Sequence, residues 1–508
     1  MHHHPSRLAL PLTLILVCAC VLLATAPPAR AVNLTAASEA ELNTAINAVN
    51  SAGAGTHTIT LTADIILTHA LHDLSNAAAT EIVLDGGGHT ISGDPDDRIL
   101  WIEADTTVRL RNVTLTGGGS SDVQIEVGGA ILNLGTLTVE NSRLTGNHAS
   151  YQGGAIANFG ALTIVGSTLS GNTADYGGAI TTDTLMGPTT LTIRNSTLTD
   201  NEARVNGGTV LVGSSPTSPA EVTLNNVTLD ANRSPNGTAG IDFIAGADSQ
   251  MDIAIVNSRI VNNVGYRGGL GLITRGQAEM TITASTVADN RSTAQGGLTE
   301  SSSGGIYVRA NAGGAATVTL LNSTLSGNST GRAGGGLLVV GDGGAAEAKL
   351  LFSTLADNTS TTGGGGIHTL TINDGSATVH LSATIVANGA GAGPDCAGPS
   401  GSILSDGYNL AGDGTCFLTQ ASDLPASATG LLPLALNAPG NTPTHALSAN
   451  SPALNRIPAG SLGCGAAVAA DQRGAARPQP AGGACDIGAY ERAAVDAKYR
   501  LLLPVAIR

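Results

Sequence analysis

Aromatic residues make up only 2% of this 508-residue chain and charged residues 12%, and lysine occurs only as Lys349 and Lys498. A surface that tracks phosphates needs clustered Lys and Arg, and with a net charge of −15 the chain has none to build one, so nucleic acid is excluded as a partner. The scarcity of charge rules out a long coiled coil, and 42% apolar residues rule out disorder. The 68 glycines follow no three-residue period, which rules out collagen. What remains is a large ordered chain of small residues, rich in turns and β-structure, whose length calls for an elongated core.

The first residues are set apart. An apolar run from Leu8 to Ala26 stands behind Arg7 and precedes Pro27-Pro28 and Ala29-Arg30-Ala31, the layout of a signal peptide over residues 1–31 with cleavage before Val32. An uncleaved anchor is the alternative, since the run approaches the ~20 residues that cross a bilayer. No membrane span is expected in the mature chain. Beyond the leader four cysteines remain, Cys396, Cys416, Cys464 and Cys485, an even number that reads as two disulfides in an oxidising compartment. Of the three connectivities, Cys396 with Cys416 and Cys464 with Cys485 is favoured because each closes a short loop. Zinc-ligand spacings are absent, so neither a metal nor another cofactor is expected.

One phrase recurs down the chain, as in Asn141-Ser-Arg-Leu-Thr-Gly-Asn147 and Asn195-Ser-Thr-Leu-Thr-Asp-Asn201. It closes on Asn147, Asn172, Asn201, Asn232, Asn263, Asn290, Asn328, Asn358 and Asn388, with steps of 25, 29, 31, 31, 27, 38, 30 and 30 residues. A constant unit with one variable loop is the mark of a solenoid. Period-two stretches such as Thr136-Leu-Thr-Val-Glu140 supply one strand per unit, Thr-Leu a second, and the residues after a glycine pair, as in Gly153-Gly-Ala-Ile156, a third. Strands too short for hairpins, with no helical pattern between them, predict a parallel β-helix of about ten coils. The closing asparagines are expected to sit at left-handed bends and to hydrogen-bond along the rod as a structural ladder. Ser38-Glu-Ala-Glu41 is a capping box before Leu42, Ala45, Ile46 and Val49, which predicts a short helix over the open end. The organisation read from these signals is a cap over 32–55, repeats over 56–390, a C-terminal domain over 391–492 and a tail over 493–508.

The phrases Gly-Gly-Ala-Ile and Leu-x-x-Asn resemble the repeats of right-handed parallel β-helix surface proteins, including polymorphic outer-membrane proteins, with Leu where Phe is usual, which implies a right-handed parallel β-helix. A second resemblance lies in Ser405-Asp-Gly-Tyr-Asn-Leu410, Thr444-His-Ala-Leu447, Ser451-Pro-Ala-Leu-Asn455, Asp471-Gln-Arg-Gly474 and Cys485-Asp-Ile-Gly-Ala-Tyr-Glu491. These look like the choice-of-anchor Q domain of secreted bacterial β-helix proteins, with Asn455 where Asp is usual. The resemblance covers about residues 55 to 491 and implies a secreted or cell-surface β-helix protein serving adhesion or structural display, without catalysis. The partners it points to are an extracellular glycan or the surface of a host or neighbouring cell.

Catalysis is the rival reading, because parallel β-helices also serve as polysaccharide lyases and hydrolases of pectate-lyase-like fold. Its candidate residues are Asp94, Asp96 and Asp97 beside Arg98, and the long step between Asn290 and Asn328, but no paired carboxylates or base emerge from the pattern. His57, His89, His148, His368, His380 and His445 fall at no metal or triad spacing and read as loop or surface residues. Trp101 reads as packed within an apolar strand, while Tyr151, Tyr176 and Tyr266, each just before a glycine pair, are the candidates for a ligand stripe along one edge. Asp471, Arg473, Arg477, Asp486 and Glu491 form a charged C-terminal motif, expected to be ion pairs that fasten the closing segment.

Overall fold

The computed structural model describes residues 31–120, 126–216, 218–294, 302–388, 391 and 393–493. The chain winds into a parallel β-helix. Successive coils stack their strands into three long parallel sheets, which among the described residues hold 14, 13 and 11 strands. At about 4.8 Å per strand the first sheet runs roughly 60 Å. Register follows the repeat: Leu137, Leu162 and Leu191 stack on one another, as do Val139, Ile164 and Ile193. These columns point inward and are at most 1% exposed, so one apolar core runs the length of the rod.

The structure departs from the sequence reading in three respects. The first sheet holds more strands than the ten or so coils expected, and it extends past the bounds 56–390 at both ends, beginning with Asn33–Ala36 and ending with Ile403–Gly407. A fourth sheet of seven strands, from Thr173–Tyr176 to Thr359–Ser360, forms where the chain stays extended beyond the ladder asparagine. The left-handed bends also lie elsewhere than at the closing asparagines. They fall on the opening residue of each phrase (Asn141 φ 47°, Asn195 φ 51°, Asn226 φ 55°) and on the residue before each close (Gly146 φ 62°, Asp200 φ 55°). The closing asparagines are instead turned inward, with Asn172, Asn201, Asn232, Asn263, Asn290, Asn328 and Asn358 fully buried.

Buried amides demand partners, and the repeat supplies them. Asn172 donates its backbone N–H (3.0 Å) and its Nδ2 (2.9 Å) to Oδ1 of Asn201, and gives its second amide hydrogen to the Leu144 carbonyl. The pattern repeats coil by coil. A second ladder runs parallel to it through the serine of most phrases, interrupted at Val227, with the Ser142 N–H on Ser167 Oγ and the Ser167 N–H on Ser196 Oγ, each 3.1 Å. Both ladders pass donors in one direction and both end on a carboxylate, a side chain that accepts without needing to donate. Asn388 donates to Asp395 Oδ1, and Asn409 to Asp423 Oδ1.

At the front, the helix Glu39–Asn50 buries Leu42, Ala45, Ile46 and Val49 over the open core, and Ser38 Oγ accepts from the Glu41 N–H. At the far end two disulfides, Cys396–Cys416 and Cys464–Cys485, brace the segment that follows the last coil. That segment folds back along the outer face of the second sheet. Thr286–Ala288, Thr324–Ser326 and Thr354–Ala356 are buried at all three positions, whereas uncovered strands such as Thr197–Thr199 bury only the central residue.

Candidate functional site

The fourth and third sheets meet at a corner behind each glycine pair, and this corner receives the sequence-predicted tyrosines. Tyr151 and Tyr176 form an edge-to-face pair with ring centroids 5.3 Å apart, and Tyr151 remains 48% exposed. Between them and Tyr266 the edge carries the Arg204–Asp175 ion pair and Val205. Further along, the Arg267 guanidinium lies 5.6 Å from the Tyr266 ring and 4.6 Å from the ring of buried Tyr307. The three tyrosines therefore lie along one edge, two as a pair and the third several coils away.

Beneath Arg267 sits a residue that the periodicity did not single out. Asp242 is on the outer face of the third sheet yet has no exposure, enclosed by the fourth. Thr238 Oγ1 donates to its Oδ1 at 3.0 Å, while its Oδ2, the Asn206 Oδ1 and the Arg267 Nε are buried without a hydrogen-bond partner. Burial pushes the Asp242 pKa up, against the pull of Arg267, Thr238 and Asn206. Gly271 is required beside it, because a Cβ there would lie 2.4 Å from Asp242 Oδ1.

A groove of about 700 Å³ separates the rod from the folded-back segment and is lined in part by Asp357, Asn388, Asp413, Leu432 and His445. His445 Nδ1 lies 2.8 Å from the Leu432 carbonyl, and Nε2 lies 2.8 Å from Ser326 Oγ. Burial lowers the His445 pKa, so the ring is neutral, donating to the carbonyl and accepting from the serine. This Ser–His contact has a carbonyl where a catalytic triad has a carboxylate, and Ser326 is buried at the junction, so the pair fastens two parts of the chain.

The C-terminal motif is assembled as ion pairs. Arg473 Nη2 meets Asp471 Oδ2 at 2.7 Å and Arg477 Nη1 meets Glu491 Oε2 at 3.1 Å, all four side chains being buried. Asp486 accepts from the backbone N–H groups of Asn455 and Arg492. The Arg477 guanidinium lies 4.6 Å over Phe352, which ties the closing segment to the rod. Burial raises the pKa of Asp486, and lifts that of Glu491 to about 7 against the attraction of Arg477.

The remaining candidates are dispersed. Asp94 Oδ1 accepts from the Asp96 N–H within a turn, while Arg98 points inward to the Val127 and Gly128 carbonyls and lies 5.2 Å from the Trp101 ring. Its burial lowers its pKa to about 10. Trp101 packs with Leu132, Leu134 and Phe159 in a small cluster outside the main core. Two histidines read as loop or surface residues are in fact buried: His57 bonds the Gly53 carbonyl near the N-terminal cap, and His445 is buried at the junction just described. The Ser326 partner of His445 lies 119 residues away in sequence, a contact that spacing does not encode. Among the described residues no group of three or more His, Cys, Asp and Glu side chains is arranged to hold a metal ion. No family model, curated protein or solved structure matches the chain.

Proposed function

We propose that the protein is a secreted or cell-surface rod that serves adhesion or structural display, exported by the leader over residues 1–31. The observation that carries this reading is the tyrosine-bearing corner mounted on a solenoid whose inward amides form a continuous hydrogen-bonded ladder. Such a scaffold holds exposed side chains at fixed intervals, and aromatic faces edged with charge suit an extracellular glycan or a neighbouring cell surface. The two disulfides support an oxidising destination. Residues 391–492 act as an anchor-type domain of the choice-of-anchor Q kind, and the tail over 493–508, of which residues 494–508 lie outside the described residues, serves either as a sorting tail or as a last strand on that domain.

The test is binding of the protein to a panel of acidic and neutral polysaccharides, with chain cleavage followed in the same samples with and without calcium. Retention that is lost in Tyr151→Ala supports adhesion through the corner. Depolymerisation above a heat-treated control overturns the reading in favour of a polysaccharide lyase or hydrolase and directs attention to Asp94, Asp96 and Asp97. A chain ending at Glu491 tests the sorting tail: equal retention on the cell removes that role.

A further inference from the structure

Charge is sorted around the rod. On the outer face of the first sheet Glu221, Asp252 and Glu279 are register neighbours on successive strands, and all three are exposed. The same coils carry the opposite sign on the fourth sheet. Among the described residues its seven strands hold two carboxylates, Asp175 and Glu202, both on the first two strands. The five strands that follow, from Arg233–Thr238 to Thr359–Ser360, hold none and carry Arg233, Arg267 and Arg291. In a chain with 38 acidic residues against 23 basic ones, an acid-free basic strip is the exception.

Register sets its spacing. Arg233 pairs with Val264 and Val264 with Arg291, so two guanidiniums leave the same face two strands apart, roughly 10 Å along the rod. Both side chains are exposed, and neither is ion-paired among the described residues. Arg204 is already held by Asp175, and Arg267 lies over the Tyr266 and Tyr307 rings. Tyr266, two residues beyond Val264 and therefore on the same outward side, completes an apolar step between the two free cations. A guanidinium presents a planar fork that fits one carboxylate, and at these two outward positions nothing in the fold uses it.

We propose that this strip binds a linear glycan bearing single carboxylates, a polyuronate, laid along the rod so that Arg233 and Arg291 each pair with one carboxylate while the sugar between them lies on Val264 and Tyr266. The inference rests on the glycan-binding reading above and names the class of glycan. Two separated cations suit a chain with one charge per sugar. A densely sulfated chain calls for basic residues packed side by side, and Val264 stands where the next one would be. The carboxylates of Asp175 and Glu202 confine the site to the coils beyond them, and the acidic row on the first sheet repels the same ligand.

Calorimetry of the full-length protein with mannuronate and galacturonate oligomers, free of calcium and at low and moderate salt, tests this. Arg233→Gln and Arg291→Gln are each expected to weaken binding about tenfold. Glu202→Gln removes the acidic register neighbour of Arg233 and is expected to tighten binding, most clearly at low salt. Arg194→Gln, at an exposed arginine of the first sheet, is expected to leave it unchanged. Unchanged melting temperatures show that the variants fold. Uronate binding indifferent to the two arginine substitutions, or a sulfated glycan bound as tightly as the uronates, overturns the proposal. Retention of a neutral glycan alone, lost in Tyr151→Ala, overturns it while leaving the adhesive reading standing, whereas binding of no glycan removes both.

Discussion

Asn201 places two hydrogens on a single atom of Asn232: its backbone N–H and its Nδ2 lie 3.0 and 3.1 Å from Asn232 Oδ1. Replacing Asn232 by Ala orphans both donors in a fully buried site and also strips the Leu198 carbonyl of its partner. The expected loss is about 2–4 kcal/mol, the sum of a few unsatisfied buried groups. At the ladder's end, Asp395→Asn keeps an acceptor for Asn388 and is expected to cost less than Asn232→Ala. Denaturant unfolding of the two variants checks the order, and equal losses would refute a directional ladder.

Asp242 gives a pH signature. Its pKa is raised in the folded protein by burial, so between the ordinary value of 3.8 and the native value the folded chain holds a proton that the unfolded chain has released. Its contribution is therefore fully present below pH 3.8 and is lost as pH rises through the native pKa. Asp242→Asn removes that slope and is expected to leave the protein as stable or more stable at neutral pH. Melting temperatures of both proteins from pH 4 upward decide the matter, and an unchanged slope counts against a raised pKa.

Glu491 follows the same sign in a narrower window. Burial lifts it to about 7 from 4.5, so the closing segment gains stability as pH falls from about 7 toward 4.5. Glu491→Gln should flatten that gain. Arg477→Ala, which strands Glu491 without its cation and leaves the Asp486 and Gly488 carbonyls short of a donor, is expected to cost about 3–5 kcal/mol. The readout is limited proteolysis of the segment after Leu447 as a function of pH. Cleavage at the same rate in wild type and Arg477→Ala would show that the pair does not fasten it.

Local signals made the rod legible in the sequence, and its corner was only half so. Alternation, the Asn phrase and the glycine pairs repeat within each unit, and each is a requirement of the backbone at that point. The serine one residue into most phrases was equally visible, but nothing in the period says which way its side chain turns. Asp242 carried no signal, because what buries it is the fourth sheet, set by how far the chain stays extended after each ladder Asn. Likewise Tyr151 and Tyr176 are 25 residues apart in sequence, one coil step, so the period put them on one edge but their contact came from the structure, whereas Arg267 over Tyr307 crosses a coil with the long loop.

The covered face of the second sheet shows only in part in the repeat. The phrase opens with Asn at 195, 226 and 257 and with Ala284 and Phe352 where the closing segment lies against it, but Asn322 keeps its Asn there and gives its Nδ2 to the Ala470 carbonyl. Phe352 accepts an unfavourable φ of 48° and is fully buried under Arg477, so its apolar burial outweighs a strain of order 1–3 kcal/mol. Phe352→Asn restores the residue that the bend prefers but leaves a cavity and an amide facing Ile487 and Leu410. The two effects oppose each other, and large-to-small changes of a buried Phe cost about 3–5 kcal/mol, so the net expectation is a loss of about 2–3 kcal/mol confined to the docked segment. Hydrogen exchange resolves it: protection should fall in residues 440–491 while the ladder amides from Asn147 to Asn263 keep theirs. A uniform loss along the rod would mean that Phe352 serves the solenoid itself.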